Sequence, residues 1–142
     1  MSKMMRGALA LLLGAWALPA LAAESMTVYK ADSCGCCAGW VEYMKAKGHA
    51  AKVVSLDDVG PMKQHLKVPE AMQSCHTAVI DGYVVEGHVP AEAIAKLLAE
   101  RPKVTGIAAP GMPQGSPGMS GKPEPFTVYT FGPDGAKPFM RF

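Results

Sequence analysis

The chain carries no basic stripe with interleaved aromatic residues, which excludes nucleic acid as a partner recruited by surface charge. It shows no internal repeat. Beyond its first residues it has no apolar run long enough to cross a bilayer, so no stable membrane insertion of the mature chain is expected. Its 4 cysteines are too few for a disulfide-dense miniature scaffold. A chain of this length can build a core without them, which leaves the thiols free for chemistry. Acidic side chains are not concentrated beside those cysteines, which argues against Ca or Mg.

What is present begins with an export signal. Lys3 and Arg6 form a positive segment, residues 8–18 a short apolar core, and Ala20-Leu21-Ala22 the small residues a signal peptidase needs. The expectation is a signal peptide over 1–22, cleaved before Ala23, and a periplasmic location. All 12 acidic residues follow Ala23, so loss of Lys3 and Arg6 leaves the mature chain formally neutral. Residues 23–142 are expected to form one domain.

The pattern along that domain predicts an α/β fold. Residues 26–29 read as a strand and 31–36 as a turn. Cys37, Trp40, Val41 and Met44 recur at helical spacing, with Gly48 as the stop. Residues 52–56 read as a second strand, and a short helix is expected from Asp57 or Asp58 to about Leu66. Asp81-Gly82 between two β-branched runs predicts a two-residue hairpin over 77–86. Pro90 and Pro102 bracket a helix over 91–100. Residues 103–125 are rich in Gly and Pro and read as a long loop. A C-terminal hairpin closes the chain, with strands over 126–131 and 138–142. This βαβαββα order resembles a thioredoxin-like domain with an added Gly/Pro-rich loop and a C-terminal β-hairpin. In that fold a cysteine motif sits between the first strand and the first helix.

Three of the cysteines occupy that place, in Cys34-Gly35-Cys36-Cys37. Unpaired backbone N–H groups and the helix dipole stabilise thiolate there. This favours metal ligation and thiol exchange alike. A dithiol oxidoreductase needs two cysteines; the third invites scrambling through mixed disulfides but suits a soft metal, because a thiolate can bridge two ions. A plain Cys34–Cys37 disulfide with Cys36 spare is the structural alternative, and four cysteines allow three full pairings.

The hairpin supplies a second arm. Extending its ladder outward, His76 meets Gly87 and Cys75 meets His88. Cys75 and His88 then share a face, about 4.5–5.5 Å apart at Cβ, with His76 on the other face. If the hairpin lies antiparallel beside the opening strand, Cys75 approaches the Cys34–Cys37 turn. His49 and His65 read as ordinary residues. In the long loop, Met112 and Met119 stand among prolines and glycines where no amphipathic helix explains them. Thioethers are soft ligands suited to Cu(I); as gap fillers they would plug the loop into the core.

The segments 34–37 with Gly39-Trp40-Val41, 74–78, 86–90 and 111–119, taken in order, resemble the CopG-type periplasmic proteins linked to copper resistance. The resemblance covers nearly all of the mature chain. It implies a thioredoxin-like fold, a periplasmic location and copper binding by the cysteines. True thioredoxins carry a cis-proline directly before the hairpin; Cys75-His76-Thr77 stands in that place here. A blocking ring is exchanged for potential ligands.

Three functions follow from these readings. The first is a copper-binding protein, with Cu(I) held by Cys34, Cys36, Cys37, Cys75, His76, His88, Met112 and Met119, acting in copper resistance or homeostasis beside other periplasmic copper-handling proteins. The second is a thiol–disulfide oxidoreductase with Cys34 as nucleophile and Cys37 as resolving thiol. The third is a zinc-stabilised module, ranked last because the domain should fold unaided.

Overall fold

A computed structural model describes residues 24–142. The expected signal peptide, 1–22, and its cleavage before Ala23 lie outside the described residues.

Alternating apolar residues make Ser25–Lys30 the first strand, β1, with Met26 and Val28 buried. The chain turns through Ala31–Ser33 and enters helix α1, Gly35–Ala46. This helix begins two residues earlier than its apolar spacing predicts, because Cys34 acts as its cap: the backbone N–H of Cys37 donates to Cys34 Sγ at 3.3 Å. Strand β2, Ala50–Ser55, runs parallel to β1. The short helix α2, Gly60–His65, starts later than Asp57 or Asp58; Asp58 Oδ1 instead accepts from the N–H of Gly60 at 2.8 Å. A 3-10 turn at Glu70–Met72 follows.

The hairpin forms as its turn residues require. Strands β3, Thr77–Ile80, and β4, Tyr83–Glu86, pair from Ile80↔Tyr83 to Thr77↔Glu86. Asp81 and Gly82 both take positive φ, 47° and 82°, as a type I′ turn demands. Helix α3, Ala91–Glu100, carries the chain back so that β5, Gly106–Ala108, lies parallel to β4. Strands β6, Thr127–Gly132, and β7, Gly135–Arg141, complete the sheet.

Among the described residues the result is one mixed seven-stranded sheet in the order β2-β1-β3-β4-β5-β6-β7. The expected 103–125 loop is corrected here: β5 interrupts it. Three residues that include a glycine carry too little pattern to stand out beside Gly/Pro-rich neighbours.

One face of the sheet is covered by α1 and α3, whose Trp40, Val41, Met44, Ile94 and Leu97 bury Val28, Ile80, Val85 and Ile107. Val84, Ala108 and Phe131 face the other way and meet Val68, Leu66 and Met72 beyond α2. The chain therefore has a small second core under α2. The carboxyl ends of β1 and β4 and the amino end of β3 meet at one rim, the end of an open α/β sheet where ligands are usually bound.

Candidate metal centre at the sheet rim

The site grows from two chain breaks at this rim. At the end of β1 the backbone lifts into α1 and presents Cys34 and Cys36 half-buried and Cys37 fully buried. Cys34 and Cys37 are joined in a disulfide, with Cα atoms 5.3 Å apart, while Cys36 and Cys75 are free. Cys36 Sγ lies 3.6 Å from Cys34 Sγ and 4.0 Å from Cys75 Sγ. Residues some forty apart in sequence thus bring all four sulfurs together.

The second break is at the open end of the hairpin. The strand ladder stops at Thr77↔Glu86, but Gly87 still donates its N–H to the carbonyl of His76 at 3.0 Å. Gly87 has φ +77°, and a Cβ there would stand 2.6 Å from Ser74 Cβ and 2.8 Å from the Ala109 carbonyl. Only glycine passes this point, and the bend folds His88 over Cys75. Cys75 Sγ is 3.1 Å from His88 Nε2. The expected cross-strand pair is therefore in contact.

His76 departs from expectation. Strict alternation places it on the opposite face from Cys75, yet its Nδ1 is 3.3 Å from Cys75 Sγ. The reason is that residues 74–76 have left the regular strand, so period-2 alternation no longer governs them. His76 packs against Trp40, ring centroids 4.6 Å apart, and meets His88 edge-on at 5.0 Å. Its Nε2 is buried without a hydrogen-bond partner.

These surroundings set the protonation states. Burial, with His88 and Lys63 adding to it, drives His76 down to about 3. Burial also lowers His88, against the pull of the Pro117 carbonyl. Cys75 is pushed up to about 11, first by burial and then by the neighbouring Cys36 sulfur. Both imidazoles are therefore neutral, with a ring nitrogen free to ligate at neutral pH, while Cys75 is a protonated thiol until a cation displaces its proton.

The loop after β5, residues 109–126, is a strap that closes the rim from outside. Gly111 donates its N–H to the Gln73 carbonyl at 3.2 Å, and its own carbonyl accepts from the Ser74 hydroxyl. Further on, the Pro117 carbonyl lies 2.7 Å from His88 Nδ1. That contact fixes the His88 tautomer with its proton on Nδ1 and turns Nε2 toward Cys75. Gly118, φ +84°, lies against α1, where an added Cβ would stand 2.6 Å from both the Cys36 carbonyl and the Trp40 nitrogen. Gly118→Val is expected to destabilise the fold by about 1–3 kcal/mol through strained backbone and a displaced strap. Chemical denaturation measures this, and an unchanged midpoint would show that the strap is not tightly docked.

The two loop methionines follow the two docking points, Gly111 and Gly118. Met112 is 55% exposed and Met119 is half-buried. His65 is exposed and His49 half-buried just beyond α1, and neither belongs to the cysteine and histidine groups at the rim. One element of the site has no sequence signature: a buried unit of Lys63, Thr77 and Glu86 beneath Cys75.

Two ligand groups result, each with its atoms within 4.8 Å of one another: Cys34, Cys36, Cys37 and Cys75, and Cys75, His76 and His88. The donor set is soft sulfur and imidazole, which suits copper or zinc and not Mg or Ca. The orphaned nitrogen of His76 is a buried polar atom with spare capacity in the same place.

Comparison with known proteins agrees. A family model described as a protein of unknown function, DUF411, matches residues 72–119, which hold the hairpin arm and most of the strap. Two solved structures, titled copper resistance protein copG, Form 2 and Form 1, are each 39% identical to the chain and cover 84% of it and 98% of their own length, with TM-scores of 0.80 and 0.79. No curated protein sequence matches the chain. With an identity of 39% over nearly the whole length of those structures, and with the cysteine and histidine groups at one rim, the chain belongs to the CopG-type family of copper-resistance proteins.

Proposed function

We propose that this chain is a periplasmic copper-binding protein that takes Cu(I) at the sheet rim and acts in copper resistance or homeostasis. The observation that carries this reading is the sharing of Cys75 between a thiolate group and an imidazole group. A thiolate with two sets of neighbours can bridge ions, so the site has room for more than one. Cys34, Cys36, Cys37, Cys75, His76 and His88 are the inner donors. Met112 and Met119 supply thioether donors from the strap. Thioethers and thiolates favour Cu(I) over harder ions, and the two solved structures are named for copper resistance. The β2-β1-β3-β4 part of the sheet, with α1 and α3 on one face and α2 on the other, supports a thioredoxin-like reading to which β5–β7 are added.

The disulfide sets a condition. Cys34 and Cys37 cannot both be thiolates while joined, so full loading requires two-electron reduction. Titration of the reduced chain with Cu(I) is expected to saturate above one ion per chain, and the disulfide form well below the reduced one. Equal capacity of the two forms, or a strict one-to-one ratio, contradicts the multi-ion site. Zinc is the weaker candidate, and readily displaced zinc in competition with Cu(I) is the expected result.

The same disulfide favours a second reading, a thiol–disulfide oxidoreductase. The half-buried Cys34 would attack a substrate disulfide and the buried Cys37 would resolve the mixed disulfide, leaving the Cys34–Cys37 bond and a reduced substrate. Rapid insulin reduction by the metal-free protein, lost in Cys34→Ser, would favour it over metal binding.

A further inference from the structure

Glu86 is fully buried and Lys63 nearly so, with side-chain exposures of 0% and 5%. Lys63 Nζ donates to Glu86 Oε1 at 2.5 Å and to Thr77 Oγ1 at 3.0 Å. Thr77 Oγ1 donates to Glu86 Oε2 at 2.6 Å. The Ser74 backbone N–H donates to Glu86 Oε1 at 2.8 Å. One carboxylate therefore grips the chain on both sides of Cys75 and His76, at Ser74 before them and at Thr77 after them. Glu86 also lies two residues before His88, across the bend at Gly87.

Such a pair is a costly way to stabilise a core. Removing two charges from water costs several kcal/mol each, and apolar replacements of similar volume are often neutral or stabilising. Stability alone does not account for it. The segment it grips has left the strand ladder and keeps one hairpin hydrogen bond, from Gly87 N–H to the His76 carbonyl, so little else of the sheet fixes the Cys75 and His76 side chains.

We propose that Lys63, Thr77 and Glu86 form a positioning cluster that holds Cys75 and His76 in register with His88 for metal binding. This rests on the copper-binding reading above. None of the three side chains is itself a ligand. Glu86 acts through the Ser74 N–H and the Thr77 hydroxyl, and Lys63, bonded to both Glu86 and Thr77, holds the carboxyl group in place. Outer partners of this kind are worth about 10–100-fold in metal affinity.

Two double variants separate position from charge and packing. Lys63→Met with Glu86→Gln removes both charges but keeps an amide oxygen for Ser74 and an amide donor for Thr77. Lys63→Met with Glu86→Leu has the same charge and nearly the same volume but cannot hold either group. Reduced protein is titrated with Cu(I) against a competing chelator, and Cu–thiolate absorption is recorded beside thermal unfolding. The glutamine variant is expected to stay within about threefold of wild-type affinity and to keep its spectrum. The leucine variant is expected to lose about 10–100-fold and to show an altered spectrum, at a similar melting temperature. Equal affinities and spectra for the two variants would overturn the proposal. Should the leucine variant fail to fold, Thr77→Val decides: a several-fold loss of affinity supports the cluster and an unchanged affinity overturns it. Hydrogen exchange of the Ser74 amide in metal-free protein is expected to quicken in the leucine variant and not in the glutamine one. That readout stands even if wild-type protein takes no Cu(I), a result that would sink the copper reading alone.

Discussion

Cys75→Ser is expected to reduce copper binding more than any other single substitution at the rim. Cys75 belongs to both ligand groups; Cys36 belongs only to the thiolate group, and His76 and His88 only to the imidazole group. The serine variant is expected to hold at most one Cu(I) per chain, with weaker retention against a chelator. Cys36→Ser and His88→Gln should each keep a larger share of the capacity. Serine is close to cysteine in shape, and Cys75 is only half-buried, so the fold should survive. Wild-type capacity in Cys75→Ser would mean that Cys75 is not a ligand shared by the two groups. The same residue makes uptake pH-dependent. With its thiol pushed up to about 11, Cys75 must release a proton to bind an ion. Apparent affinity should therefore rise with pH across the neutral range, by about tenfold per pH unit for each proton released.

Acid is expected to destabilise the metal-free protein steeply, and His76 is the main cause. Its ordinary value of 6.5 falls to about 3 in the fold, so between these limits the unfolded chain binds a proton that the native state refuses. The contribution to stability is complete above 6.5 and is lost progressively as pH falls toward 3. The scale is on the order of 4–5 kcal/mol over the whole window, a large share of a small domain's stability. His88, also lowered, acts in the same direction. Glu86 acts in the opposite one: burial raises it, so the native state gains protons more readily than the unfolded chain. Urea unfolding between pH 7 and pH 4 measures the balance. A clear fall in stability is expected for wild type and a flatter profile for His76→Gln. Parallel profiles would show that His76 becomes protonated without unfolding, by opening the rim to water.

Much of this architecture is legible from local chemistry. Asp81-Gly82 predicts the turn and, through it, the register that brings Cys75 to His88. Pro90 and Pro102 bracket α3 because proline starts helices easily and cannot continue them. The spacing of Trp40, Val41 and Met44 gives the buried face of α1. Other features are not legible in this way. β5 is three residues long and exists because β4 and β6 offer it hydrogen bonds on both sides. The placing of His76 follows from the chain leaving the ladder at Thr77, which no alternation pattern reveals. The close approach of Gly118 to α1 depends on a strap that begins far along the sequence.

The linear order of residues determined the main helices and strands apart from β5, the hairpin register and the presence of soft donors at a strand-to-helix junction, because each depends on interactions within a few positions. The meeting of the sulfurs at one rim was expected on condition that the hairpin pairs beside β1, and only the tertiary structure decided that pairing, that His76 joins Cys75, and that Lys63 and Glu86 lie buried. These depend on contacts between residues tens of positions apart. Such contacts are set by how the sheet stacks its strands and by which charges burial forces together.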